Sequence, residues 1–352
     1  MPQENIVPDI GIAVNGREVS RTILQDVIST AVHEDLNAAS MFTIHLHNWD
    51  MAALKYTWSD DNLFAPGNEV EIWMGYVDHL KKICVGEITS LEPQFEADEP
   101  PTVIVRGLDH RHRLFRGRKT RSFAQIKDSA IASQIAQQSG LRAKTTDSKV
   151  TLEYVLQHNQ TDMEFLQQRA ARIGYEVFVA EKTLYFQPHQ HSKGSAMTFS
   201  LGKDVIEFFP RLTTVSQVDE VIVRGWDPKQ KKEILGKSAT GQESSTMGGV
   251  TSGPKATKSA FGKSSAASVA APVFSKAEAD QMALGQFNDM ALTYIEGDGL
   301  CLGTADLRAG MVIKIEEAGD KFSGLYYVTA VTHSLTPNQG YQTRFTVRRN
   351  AS

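Results

Sequence analysis

The residues best suited to chemistry in this chain are its histidines, which fall in three close sets. His45 and His47 stand two apart in an alternating run, so they share one face of a strand and could begin a bidentate metal site. No third ligand lies near them, and they are read as polar residues on a wet strand face. His189 and His191 flank Gln190 beyond a hairpin and are read as solvated loop residues. His110 and His112 sit inside a basic run. No HExxH, CxxC or EF-hand spacing occurs, nor a GxSxG elbow, a phosphate-cradling lysine loop or a GxGxxG turn. The acid pairs Asp60-Asp61 and Glu316-Glu317 are adjacent and read as loop-borne. Two glycosidase acids must instead face each other across about 5–10 Å. The residues assign no catalytic group, metal or cofactor, and the expectation is a protein that is not an enzyme.

The basic run is the sharpest charge feature. Arg111, Arg113, Arg116, Arg118, Lys119 and Arg121 place six cations in eleven residues, with Phe115 among them. Such a run can grip phosphates. The chain as a whole carries a net charge of −4, however, which gives no general pull on nucleic acid. Arginine is also favoured where carboxylates are met across an interface. Arg111, Arg113, Arg116 and Arg118 are therefore candidates for contact between subunits, with a solvated linker as the alternative and no nucleic-acid partner.

These residues need a scaffold, and 352 residues leave room for two or three domains. Apolar residues make up 41% and charged residues 22%, a globular balance that argues against wholesale disorder. Cys84 and Cys301 are too few for a disulfide framework. The N-terminus has no secretory pattern, and no apolar run reaches the roughly 18–20 residues of a membrane span. Assembly in the cytoplasm without direct membrane insertion is expected.

The chain also echoes itself. Val103-Ile-Val-Arg-Gly-Leu-Asp109 returns as Val221-Ile-Val-Arg-Gly-Trp-Asp227, Gly67–Ile72 resembles Gly310–Ile315, and Val85–Pro93 resembles Val328–Pro337. Alternation of this kind is a strand signal. The echoes imply two similar β-units, and their differing order implies different connectivity. The first unit, 1–112, takes strands near Ile23–His33, Phe42–Asn48, Glu69–Tyr76, Ile83–Leu91 and Thr102–Leu108, with a short helix capped by Asp50. The second, 203–352, takes Val205–Leu212, Val218–Trp226, Met311–Glu317, Gly324–His333 and Tyr341–Arg349, a helix over 275–291 capped by Ser275, and a flexible Ser/Gly/Lys-rich insertion at 229–272. Between them, 113–202 reads as a small α/β domain. Ser122 caps one helix there, the box Thr161–Glu164 opens another, and a hairpin turns at Glu181-Lys182. The fold class is mainly β with α+β insertions, its strands closed into two small tube-like barrels. Strand residues Val103, Val105, Arg106, Val221, Val223 and Arg224 join the interface candidates. Trp49, Trp58, Trp73 and Trp226 are assigned to core or strand packing.

The segment Asp162-Met163-Glu164-Phe165-Leu166, Arg169-Ala170 and Ile173-Gly174-Tyr175, with Leu184-Tyr185-Phe186 after it, resembles the phage late control protein D family. So does the C-terminal run through Gly299, Gly303, Leu307, Ala309-Gly310, Phe322-Ser323-Gly324, Tyr326–Thr329, His333, Gly340–Thr343 and Arg348. Glu164 departs from the family's usual Asp. The resemblance spans nearly the whole chain and extends to the N-terminal hub half of the valine–glycine repeat (VgrG) spike proteins. It implies a structural baseplate hub of a contractile phage tail or injection system. The hub would be a homotrimer whose barrels form a pseudo-six-fold ring, adapting a three-fold spike to a six-fold inner tube and nucleating that tube. Expected partners are a separate spike protein, the inner tube protein, baseplate wedge proteins and a tape-measure or cargo protein. The rival readings are a sugar-binding tail adhesin and a cell-wall hydrolase.

Overall fold

The computed structural model describes residues 7–227, 229–268 and 272–352. The first residues of the expected 1–112 unit, Pro228 and part of the expected 229–272 insertion lie outside the described residues. The first part of the chain contains β1 (Pro8–Val14), β2 (Arg17–Glu18), α1 (Arg21–Gln25), β3 (Val27–Asp35), β4 (Met41–His47), β5 (Trp49–Asp50), β6 (Lys55–Tyr56), β7 (Glu69–Tyr76), β8 (His79–Gln94) and β9 (Thr102–Asp109). Antiparallel pairing runs β2-β1-β7-β8-β9-β4-β3. Period-2 alternation sends Phe42, Ile44, Leu46, Val103 and Val105 into one core with Val70, Ile72 and Met74. Asp50 starts no helix. Its carboxylate accepts from the Ala52 and Ala53 N–H groups at 2.8 and 2.9 Å, a local turn that takes the donors a helix would use.

The middle part contains β10 (Lys119–Ile126), α2 (Asp128–Gln138), β11 (Arg142–Thr145), β12 (Leu152–Gln160), α3 (Asp162–Arg172), β13 (Tyr175–Ala180) and β14 (Thr183–Pro188). The capping box forms as the sequence requires, with Thr161 and Glu164 exchanging hydrogen bonds at 3.0 and 3.1 Å. Ser122, by contrast, lies within β10, which pairs with β12. Phe123 stacks on Phe165 from that strand, so the helical spacing begins only at Asp128.

The last part contains β15 (Met197–Ser200), β16 (Val205–Leu212), β17 (Glu220–Asp227), β18 (Lys232–Ala239), α4 (Gly253–Phe261), β19 (Ser265–Ser268), α5 (Lys276–Leu292), β20 (Ile295–Leu302), β21 (Val312–Glu316), β22 (Gly324–Thr336) and β23 (Gly340–Arg349). β15, inside the expected α/β segment, pairs parallel with β21 and so belongs to the second sheet. The segment read as a flexible loop supplies β18, α4 and β19. β17 lies between β18 and β19 in a separate three-stranded sheet, covered by α5. The composition misled because small residues here serve close packing. A Cβ on Gly236 would lie 2.2 Å from the backbone of Ala279 on α5.

The strand order β7-β8-β9-β4-β3 recurs as β21-β22-β23-β20-β16. The correspondence is local as well as topological. Gly67 and Gly310, with φ of +94° and +86°, each donate at 2.8 Å to a carbonyl of the facing strand, Ile88 and Val328 respectively. Register shifts follow one residue later, at Thr89 and Thr329. A second pair of shifts falls at Ile28 and Ile206. The two units therefore share one connectivity, and β17 to α5 is an insertion between β16 and β20. This corrects the expected difference in order. It also shows that the counterpart of the Val103–Asp109 strand is β23, while the near-identical Val221–Asp227 lies in the insertion.

Packing within each unit depends on glycines facing rings. A Cβ on Gly107 would fall 2.1 Å from Phe42 and 2.4 Å from the Glu87 carbonyl oxygen. Gly107→Ala is expected to lower the unfolding free energy by about 1–3 kcal/mol, the usual cost of overpacking a core. The readout is a lower urea midpoint at unchanged slope.

Candidate assembly interface

The two units are fused along a single seam. β22 pairs antiparallel with β3 from Ala330↔Asp35 to Leu335↔Thr30, which joins both sheets into one of thirteen strands. On the wet face, His33 Nδ1 lies 2.8 Å from Thr332 Oγ1. On the inner face, His333 is fully buried between the Leu307 carbonyl at 3.0 Å and the Tyr341 hydroxyl at 3.0 Å. Burial, aided by the nearby Arg308 charge, pushes His333 down to about 3, so it is neutral. Arg308 clamps the seam from the side. Its guanidinium forks onto the Glu34 carboxylate, with Nε at 2.9 Å, and donates to the Ile83 carbonyl at 2.7 Å.

The basic run folds inward beside this seam. His110–Phe115 form a 3₁₀ turn in which His110, Arg111 and His112 are buried. Arg111 donates to the carbonyls of Asp35 (3.1 Å), Leu36 (3.3 Å) and Ala38. Burial raises the Glu87 carboxyl, but hydrogen bonds from Arg113 and His112 outweigh it and hold Glu87 at about 2. Arg118 meets Glu164 at 3.0 Å, and Lys119 and Arg121 both meet Asp162 at 2.6 Å. Of the six cations, Arg113, Arg116, Arg118 and Lys119 are exposed, and all but Arg116 meet groups of their own chain. Arg111 is thus an internal brace and not a solvated or subunit-bridging residue, whereas Arg113, Arg116 and Arg118 keep exposed side chains.

The other interface candidates divide in the same way. Val103, Val105, Val221 and Val223 are at most 1% exposed and fill cores, because the strands carrying them alternate inward at those positions. Their side chains are not available to a neighbour. Arg106 meets Glu92 at 3.0 Å on the wet face, and Arg224 meets Glu233 at 3.2 Å on the inserted sheet. Trp226 is 59% exposed there, against the expectation of packing.

What sequence reasoning missed is a pair of open sheet edges. Among the described residues, no strand pairs with the outer edge of β8 at Ser90–Gln94 or with that of β16 at Phe208–Leu212. These are the counterparts of the two strands that meet in the seam. Exposed apolar side chains crowd both, with Phe95, Met51 and Leu54 near β8 and Ile206, Phe209 and Val215 on or beside β16. The legible signals were Pro93 and Pro210, since proline inside a strand belongs on an edge.

His189 and His191 are not solvated. His189 lies 3.0 Å from Glu176 of β13 and 3.1 Å from Asp289 of α5, and Tyr327 of β22 donates to Glu176 at 2.6 Å. This cluster pins the middle part, the insertion and the second unit together. Burial opposes the charge on His189, but the Asp289 and Glu176 carboxylates lift it to about 10. Burial and the His189 charge push His191 down to about 4. Among the described residues no three His, Cys, Asp or Glu side chains are grouped to hold a metal, and no helix is long and apolar enough to cross a membrane.

With this geometry in hand, comparison with known proteins is informative. Residues 4–337 match the family model described as the Alg8 N-terminal domain. The chain belongs to that family. The Alg8 N-terminal name carries no activity with it, and no curated protein matches by sequence. Solved structures give the fold. The 43 kDa tail protein of prophage MuSo2 from Shewanella oneidensis superposes with a TM-score of 0.73 at 12% identity, over 97% of this chain and 98% of that one. A tail protein from Neisseria meningitidis MC58 gives 0.70 at 12%, over 97% of each. An Escherichia coli type VI secretion component, described as similar in structure to the T4 tail proteins gp27 and gp5, gives 0.61 at 13%, over 97% of this chain and 77% of that one. This Alg8 N-terminal family chain therefore has a mainly β tail-protein fold.

The histidines set a pH dependence. His189, raised from 6.5 to about 10, stabilises fully below pH 6.5 and loses that contribution as pH rises toward 10. His191 and His333, lowered from 6.5 to about 4 and about 3, contribute fully above pH 6.5 and lose it as pH falls. The melting temperature should fall on both sides of neutrality. His189→Gln should flatten the alkaline limb and only weaken the acid limb, which burial of His191 and His333 maintains, as followed by circular dichroism from pH 4 to 10.

Proposed function

We propose that the chain is a structural baseplate hub of a contractile tail or injection system, and that three copies close into a ring of six similar units. The observation that carries this reading is the fusion of two units of identical strand order and bulge placement into one continuous sheet. A cyclic trimer of such a chain has exact three-fold and approximate six-fold symmetry, which is what a hub needs to seat a three-fold spike on one face and a six-fold inner tube on the other. The likeness in fold to tail proteins and to a type VI secretion component supports the same setting.

The wet face of the joined sheet would form the channel wall. Ala31, His33, Thr43, Thr332 and Ser334 line it near the seam, where Arg106 is met by Glu92 and Arg348 by Glu296, while Arg344 stands exposed opposite Thr332. A polar wall with most of its charges paired would let a tape-measure or cargo chain pass without sticking. Wedge proteins would contact the outer parts of the ring, and the hub would travel as part of the assembled particle.

The test is negative-stain imaging with mass photometry of the purified chain. The expected result is a particle of three times the 38.9 kDa chain mass, with six lobes around a hole. Particles of one chain mass at every concentration, alone and with the cognate spike, would refute it.

A further inference from the structure

We infer that a second copy of this chain docks by antiparallel pairing of its β16 edge to the β8 edge of the first, in the register Ser90↔Thr213, Glu92↔Arg211, Gln94↔Phe209. The inference rests on the ring reading and supplies its joint, including a register that trimerisation alone does not specify.

The register comes from the seam inside the chain. The paired glycine turns and bulges equate Ile88 with Val328, and hence Ser90 with Ala330 and Phe95 with Leu335. The ladders equate Phe42 with Gly297, because each faces an equivalent residue of β9 or β23, and hence Val32 with Pro210 and Asp35 with Thr213. Applying the seam's pairs, Ala330↔Asp35 to Leu335↔Thr30, to the two open edges gives Ser90↔Thr213 to Phe95↔Phe208.

Charge agrees with this register, though it played no part in setting it. On one side of the joint, Arg106 of β9 binds Glu92 of β8 at 3.0 Å. On the other, Arg211 of β16 lies 3.4 Å from Glu296 of β20, which binds Arg348 of β23 at 3.0 Å. Setting Glu92 opposite Arg211 completes one alternating row across five strands: Arg106, Glu92, Arg211, Glu296, Arg348. In the seam the same position carries the His33–Thr332 hydrogen bond. A one-residue slip would put Arg211 on the opposite face from Glu92. Phe95, which is exposed, and Phe208, which is half-buried against Tyr326, fall opposite each other at the end of the joint.

The prolines make this joint weaker than the seam. The Leu36 N–H donates to the Thr329 carbonyl at 3.2 Å, which makes His333↔Val32 a mutually hydrogen-bonded position. Its counterpart is Pro93↔Pro210. Both lack the donor, and both turn their nitrogens to the open edge, since Pro210↔Gly297 and Pro93↔Val103 are non-bonded positions on their paired sides. The chain thus joins its own halves by an uninterrupted ladder and its copies by an interrupted one, which also discourages foreign strands from adding to either edge.

The experiment is paired cysteine substitution in the full chain, whose native Cys84 and Cys301 are both buried. Under oxidation, Glu92→Cys with Arg211→Cys should give disulfide-linked dimers and trimers on a non-reducing gel. Gln94→Cys with Thr213→Cys, four residues apart in this register and beyond disulfide reach, should give none. A ring seen by imaging without the first product, or with the second, overturns the register and leaves the hub reading standing; no assembly in any variant overturns both. Independently, Pro93→Val with Pro210→Val should tighten self-association about ten-fold by restoring two backbone donors. An unchanged dissociation constant would show that the prolines do not face each other.

Discussion

The structure depends on the satisfaction of sheet edges. A strand with one side unpaired leaves N–H and C=O groups that must find water, a side chain or another strand. A chain with two copies of the same five-strand arrangement has that problem twice over. One pair of edges is consumed when β22 runs alongside β3, and Arg308, Glu34 and the buried His333 build a neutral, clamped interior beneath the contact. Among the described residues the other pair is left open, with proline at the centre of each edge. Everything around the seam is arranged to keep the two units at a fixed angle: Arg111 holds the chain that leaves β3, and the Glu176–His189–Asp289 cluster holds the insertion against β22.

How much of this was legible follows from how local each cause is. The capping box at Thr161–Glu164, the hairpin around Glu181-Lys182 and the Ser275-capped α5 depend on residues three or four apart, and their sequence reading matches the structure. Strand periods were equally plain. Partners were not. The near-identity of Val103–Asp109 and Val221–Asp227 reports the same alternation in both, but alternation says which face is buried and nothing about which strand lies alongside. β17 took its place from α5, whose apolar stripe lies more than fifty residues away.

The basic run shows the same limit for charge. Spacing alone makes Arg111 look like a solvent-facing cation. Its burial depends on three carbonyls at the end of β3, groups that no composition statistic reports. Apart from Arg116, the run's remaining charges are met by Glu87, Asp162 and Glu164, so a segment that is strongly cationic in sequence is largely paired within its own chain. The open edges were visible only through Pro93 and Pro210, whose meaning emerges when the paired side of each strand is known.

The ring-on-glycine contact takes opposite forms in the two units. In the first, the ring is on β4 and the glycine on β9, where Phe42 faces Gly107; in the second, the glycine is on β20 and the ring on β23, where Gly299 faces Phe345. Strand β23 laid beside β4 would crowd Phe345 onto Ile44 and Val347 onto Phe42, whereas β9 laid beside β20 would leave a hole opposite Gly297. The halves are alike in shape and incompatible in their parts, so exchanging these strands between them would cost each core its packing.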